Sequence, residues 1–141
     1  MIVDASVATT FFNNEDPRYP RVRMAVRQGR CCLYYGGLLR REYERIRSIM
    51  RTLLALDAAG RAKAVPDMMV DELTEHLDRS GVCQSDDPHI IALAKITGSR
   101  LLCTDDHPLQ QDFTNRSLLN NPRGKILKDD THCHLLPRRR Q

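Results

Sequence analysis

Short apolar runs alternate along the chain with longer stretches in which apolar residues recur every three or four positions. Met1-Ile2-Val3 reads as a buried strand, and Asp4-Ala5-Ser6 as the turn that leaves it. Asp16-Pro17 opens a helix reaching about residue 28, with Gly29 as its stop signal. Cys31-Cys32-Leu33-Tyr34-Tyr35 is a second strand, closed by Gly36-Gly37. Residues 38–59 carry one helical period up to Gly60, Pro66 interrupts it, and residues 67–80 resume it before Gly81. Asp87-Pro88 begins a helix through Ile90, Ile91, Ala94 and Lys95 that stops at Gly98. Arg100-Leu101-Leu102-Cys103-Thr104 is a buried strand, a short helix follows around residues 109–113, and Lys125-Ile126-Leu127-Lys128 is an edge-type strand.

Strands that alternate with helices predict an α/β fold, a three-layer α/β/α sandwich around a mostly parallel central sheet. A length of 141 residues fits one domain, here residues 1–130, followed by a basic tail over 131–141. In an open sheet of this kind ligands gather beyond the carboxyl ends of the strands. Asp4 and the pair Asp105-Asp106 follow two such ends directly.

Composition narrows the partners. The apolar share of 41% and charged share of 28% are ordinary for a globular protein, and no apolar run approaches the ~20 residues of a membrane span. The chain opens straight into its first strand, without a basic stretch, long apolar segment and cleavage site, so a cytoplasmic protein is expected. Five cysteines, an odd number without CxxC spacing, read as reduced and mostly buried thiols. The net charge of +4 is uneven: Arg40, Arg41, Arg45, Arg47 and Arg51 crowd one helix and Arg138, Arg139 and Arg140 form a tail. That excess favours an anionic partner or simply a solvated helix face. With no tryptophan and few other aromatics, contact with a nucleic acid would be made to phosphates rather than by stacking on bases.

The candidate chemistry lies in scattered acids. Leu38, Ile46, Ile49, Leu53 and Leu56 make an apolar stripe whose missing turn is filled by Glu42, which aims that carboxylate at the core. An ionised carboxylate there needs a metal or a partner, and the competing reading pairs it with an arginine. Asp87, just before a helix-opening proline, competes with a plain N-cap, and Asp4 with a local Asx turn. Asp105 and Asp106 face opposite ways along an extended backbone, so one of them points into the crevice. Gathered together, such acids would repel one another unless a divalent cation lay between them. His132-Cys133-His134 has zinc-type side chains but no matching spacing and no evident fourth ligand, and a mobile tail is the simpler reading. His89 and His107 lie near the acids and read as surface residues at helix starts.

Met1-Ile2-Val3-Asp4-Ala5-Ser6, Arg41-Glu42-Tyr43, Asp87-Pro88-His89-Ile90-Ile91-Ala92-Leu93-Ala94 and Leu101-Leu102-Cys103-Thr104-Asp105-Asp106, with Leu109 and Asp112-Phe113 beyond, together resemble a PIN domain over residues 1 to about 113. The specific part is the Asp-x-x-Ile-Ile-Ala-Leu-Ala helix followed by the Leu-Leu-x-Thr-x-Asp strand end. In that family four acids bind Mg²⁺ or Mn²⁺ and cut RNA, and many members are VapC-type toxins of toxin–antitoxin pairs. The resemblance implies that Asp4, Glu42, Asp87 and Asp106 are the metal-binding and catalytic acids, with Ser6 and Thr104 as the small hydroxyl residues near the first and last. Asp86 beside Asp87 and Asp105 beside Asp106 leave the register of each pair open. It further implies Asp4 and Asp106 as direct ligands, Glu42 and Asp87 acting through water or at a second position, an RNA substrate, a homodimer and an antitoxin partner. Arg40, Arg41 and Arg45 would draw in the RNA backbone. The alternatives are a non-catalytic scaffold binding RNA or protein, and, more weakly, phosphate transfer through an aspartyl intermediate, which would need a second acid where Ser6 stands.

Overall fold

The computed structural model describes residues 1–138. In chain order the elements are β1 (Ile2–Val3), α1 (Ala5–Phe11), α2 (Pro20–Arg27), β2 (Leu33–Tyr35), α3 (Gly37–Glu44), α4 (Arg47–Ala58), β3 (Ala62–Ala64), α5 (Asp67–Ser80), α6 (Pro88–Thr97), β4 (Leu101–Cys103), α7 (His107–Thr114), β5 (Lys125–Ile126) and a final 3-10 helix (Asp130–Leu135). The chain is a mixed α/β structure, mostly helical, with short strands. No helix among the described residues is long and apolar enough to cross a membrane.

Every strand pair is parallel. Ile2 and Val3 of β1 lie opposite Leu102 and Cys103 of β4, which pairs on its other side with β5. Separately, β2 pairs with β3. Two further bonds join these sheets: the Met1 amino group donates to the Cys32 carbonyl at 2.8 Å, and the Tyr34 N–H donates to the Met1 carbonyl at 3.0 Å. That alternation is the hydrogen-bond pattern of a parallel ladder with Met1 opposite Leu33. The strands therefore run β3-β2-β1-β4-β5, and the central β1 and β4 are buried as parallel strands require.

Against these strands packs α6, whose first seven residues are buried all round the helix, with Ile90, Ile91, Ala92, Leu93 and Ala94 fully buried. Pro88 stands in its first turn and Gly98 ends it in the left-handed conformation, the two signals that locate it in the sequence. Gly37 starts α3 at φ +59°, and a Cβ there would meet Val70 Cγ1 at 2.7 Å. Only glycine lets α3 approach α5 this closely.

Several expectations are corrected. The single helix over residues 38–59 is two, because α3 buries Leu39 and Tyr43 while α4 buries Ile49 and Leu53. The ten residues that separate Leu39 from Ile49, and Tyr43 from Leu53, would leave the second pair about 80° round a continuous helix from the first. Ile46 resolves the conflict by leaving the helix for extended backbone (φ −121°, ψ 101°). Asp16-Pro17 forms a turn, with Asp16 Oδ1 accepting from the Arg18 N–H, and the helix starts instead at Pro20. Between the first strand and that turn lies α1, which buries Val7, Ala8 and Phe11. Residues 130–137 are not a tail: Asp130 accepts from the backbone N–H groups of Arg21 and Val22, Arg30 donates to the Pro137 carbonyl, and Leu136 is buried. Arg139 and Arg140 lie outside the described residues. All five cysteines are free thiols, Cys31 and Cys103 buried and the other three half-buried.

Candidate functional site

Asp4 continues the ladder one residue past β1, its N–H donating to the Cys103 carbonyl at 2.9 Å. Its side chain is buried, and Oδ2 accepts from Ser6 Oγ at 2.7 Å and Thr104 Oγ1 at 2.8 Å. The Thr104 hydroxyl in turn accepts from the Asp106 N–H at 3.1 Å. Two hydroxyls thus tie together the carboxyl ends of β1 and β4 and fix the direction of the Asp4 carboxylate. Asp106 caps α7 through one oxygen, Oδ1, which accepts from the Leu109 N–H at 3.2 Å. Asp105 turns the other way and is held by Arg18, whose guanidinium donates to both its oxygens at 2.7 and 3.1 Å. The adjacent pair is therefore divided, and Asp106 is the member beside Thr104.

Asp87 occupies the N-cap position of α6, yet its side chain makes no capping hydrogen bond. Its carboxyl is instead raised to about 6, first by burial and then by the negative charge of Asp4, with the neighbouring carboxyl of Asp106 adding to the effect and His89 opposing it. Asp86 is exposed. The loop leading into Asp87 is fixed by buried Asp112, which accepts from the N–H groups of Gln84 and Ser85, both at 2.9 Å. Ser85 Oγ accepts from the Asp87 N–H at 3.3 Å.

Glu42 reaches this group through a residue the sequence reading left on the surface. His89 is 1% exposed, its Nε2 lies 3.0 Å from Glu42 Oε1, and its Nδ1 lies 4.0 Å from Asp87 Oδ1. The close approach is not lined up as a hydrogen bond, so both ring nitrogens and Glu42 Oε1 are buried without a hydrogen-bond partner among the described residues. The apolar stripe that aimed Glu42 inward is not the buried face, since Leu38 and Ile46 are 37% and 38% exposed. Glu42 is half-buried because it follows the truly buried Leu39 round the helix and precedes Tyr43, whose hydroxyl donates to the Val3 carbonyl. A histidine directly ahead of the unbroken apolar run Ile90–Ala94 was the available signal that His89 is inside.

The arginines go elsewhere. Arg40 pairs with Asp67, and Arg41 makes a two-pronged contact with Asp71 at 2.9 and 3.2 Å, so these two hold α3 to α5, Arg41 doing so in the wall of a pocket that His89 and Asp86 also line. Arg45 is exposed and enters none of the ion pairs among the described residues. Every arginine–carboxylate pair among those residues uses Glu44, Asp67, Asp71 or Asp105, and none uses Asp4, Glu42, Asp87 or Asp106.

No three His, Cys, Asp or Glu side chains among the described residues stand close enough to close on one ion as they are. The donors nonetheless fit a hard divalent cation in kind: oxygen ligands, a neighbour-raised carboxyl at Asp87, and a buried oxygen on Glu42 without a partner. At the other end of the chain, His132 Nδ1 accepts from the Lys128 N–H and the Cys133 thiol faces Asp130, so that cluster is occupied with its own loop. No family model matches the chain, and neither does a curated protein or a solved structure.

Proposed function

We propose that the chain is a metal-dependent endoribonuclease of the PIN-domain kind, a three-layer sandwich in which Asp4, Glu42, Asp87 and Asp106 hold Mg²⁺ or Mn²⁺. The observation that carries this reading is geometric: Asp4 and Asp106 stand at the ends of two paired strands bridged by Thr104, and none of Asp4, Glu42, Asp87 and Asp106 enters an arginine pair among the described residues. Acids arranged in this way lower the stability of the empty protein and suit a site completed by a cation.

In this reading Ser6 and Thr104 keep Asp4 aimed between the strand ends, and Asp106 divides its two oxygens between the α7 cap and the site. Bound Mg²⁺ or Mn²⁺ supplies an activated water for in-line attack on a phosphodiester and relieves the charge on the departing oxygen. Exposed Arg45 meets the RNA backbone, so binding weakens steeply with salt. As a toxin, the chain would act as a homodimer with its antitoxin covering the crevice. Wild-type expression would then arrest growth and Asp4→Asn expression would not.

The test is labelled structured RNA incubated with purified protein and Mn²⁺. Cleavage is expected for the wild type and is expected to vanish with EDTA or in Asp4→Asn. Cleavage that survives both discards the mechanism. A non-catalytic scaffold is the alternative, and RNA bound but uncut under every metal would select it.

A further inference from the structure

We propose that His89 supplies a nitrogen donor to the metal of this site and so shifts its preference from Mg²⁺ toward Mn²⁺. The inference rests on the metal-site reading above and adds to it a ligand of different chemistry.

A histidine buried in a core normally spends its ring nitrogens on a backbone carbonyl, a hydroxyl or a water, because an unmet buried polar group is costly. The His89 ring is 1% exposed and has neither nitrogen so engaged among the described residues. Its neighbours in α6, Pro88, Ile90 and Ile91, are buried and offer no side-chain acceptor. What faces the ring is acid on both sides, Glu42 Oε1 at 3.0 Å from Nε2 and Asp87 Oδ1 at 4.0 Å from Nδ1. Metal-binding histidines characteristically rest one nitrogen against a carboxylate and offer the other to the ion. Here Glu42 is the carboxylate within reach of Nε2 and acts on the ion through His89 rather than as a direct ligand, which leaves Nδ1 on the side of Asp87. Mg²⁺ takes oxygen almost exclusively, whereas first-row transition ions accept imidazole readily, so one nitrogen among carboxylates separates the two classes.

The test is pulsed electron paramagnetic resonance of Mn²⁺ bound to the wild-type protein, with natural and ¹⁵N-histidine labelling, beside calorimetric titration of Mn²⁺ and Mg²⁺. Directly bound imidazole nitrogen is expected in the wild-type spectrum and in H107Q, and is expected to be lost in H89Q. In H89Q the Mn²⁺ affinity should fall about 10- to 100-fold while Mg²⁺ affinity stays nearly constant. Mn²⁺ bound to the wild type without a nitrogen signal, a reading that needs no variant to fold, removes His89 and leaves the acid site standing. Equal weakening of both ions in H89Q does the same. A wild type that binds neither ion, or whose binding is unchanged by Asp4→Asn, brings down the acid site and His89 with it.

Discussion

Helix α3 contributes to two clusters of carboxylates that the fold treats in opposite ways. Arg40 and Arg41 reach across to Asp67 and Asp71 of α5, giving each acid its own guanidinium. Glu42, the next residue, faces buried His89 of α6, whose other nitrogen lies toward Asp87, and neither these two acids nor Asp4 and Asp106 enter an arginine pair among the described residues. The first cluster is a half-exposed helix–helix clasp, where matched charges contribute modestly and fix the packing. In the second, burial and neighbouring charge weigh on Asp87, while Asp4 is held by two hydroxyls and Asp106 by the α7 cap rather than by any guanidinium among the described residues. Acids without a guanidinium at strand ends are the feature on which the proposed function rests, and they separate this cluster from the first.

The comparison is broken most directly by exchanging each acid for its amide. Asp4→Asn should reduce RNA cleavage in Mn²⁺ by at least about 100-fold, while Asp71→Asn should leave the initial rate within about twofold. Equal losses from the two would mean that the clusters do not differ in function. The next largest effect is on stability. Burial and the charges of Asp4 and Asp106 hold the Asp87 carboxyl at about 6. Below about pH 4 that group is protonated folded or unfolded and costs nothing; between about pH 4 and 6 the unfolded chain ionises while the folded one keeps its proton, so the cost grows over that range and is at its full value above 6. Two units correspond to roughly 3 kcal/mol, and with a side chain 25% exposed about 2 kcal/mol is expected. Asp87→Asn should thus stabilise the metal-free protein by about 2 kcal/mol at pH 7 and not at all at pH 4 in urea titrations with EDTA. A destabilised Asp87→Asn at pH 7 would show that this acid is structurally matched after all.

Which acids belong to which cluster was only partly visible in the sequence. Asp4 and Asp106 were legible because each ends an apolar run, and β1 and β4 are buried on both faces. The position of Asp87 was legible from Pro88 and Gly98, which bound α6 in any context. Glu42 was found by a stripe that proves exposed at Leu38 and Ile46; the helix breaks at Ile46, and no periodicity count reveals a break that re-phases two buried pairs. The arginines misled for a related reason. Arg40 and Arg41 look free in a list of charges, and only the packing of α3 on α5, permitted by Gly37, brings Asp67 and Asp71 to them. α1 escaped notice because β-branched Val7, Thr9 and Thr10 weaken helix propensity, and β3 because Ala-Lys-Ala is a poor strand without β2 beside it.

The matched cluster predicts a pH response of the opposite sign. Burial pushes the Asp67 carboxyl up, but the Arg40 guanidinium and the Gly37 N–H outweigh it and leave it below the usual carboxylate range. Its contribution is present above about pH 4 and is lost as pH falls through the lowered value. Because Arg40 and Asp67 are 40% and 27% exposed, Asp67→Asn should cost about 1 kcal/mol or less at pH 7 and progressively less in acid. A stability gain at neutral pH, like that expected of Asp87→Asn, would erase the distinction between the clusters.

The smallest effect tests the distinction at its narrowest point, between two adjacent residues. Asp105 is bound by Arg18 and its side chain is 55% exposed, while Asp106 shares its oxygens between the α7 cap and the site. Asp105→Asn should shift stability by a few tenths of a kcal/mol at most and leave cleavage within about twofold. Asp106→Asn retains a cap acceptor, so its stability should also change little, yet its cleavage should fall as far as that of Asp4→Asn. The pair thus separates charge from folding: neighbouring amides with similar melting behaviour should differ about 100-fold in rate. If Asp105→Asn is the inactive one, the side chains have exchanged roles and the site is built on the other face of the β4 turn.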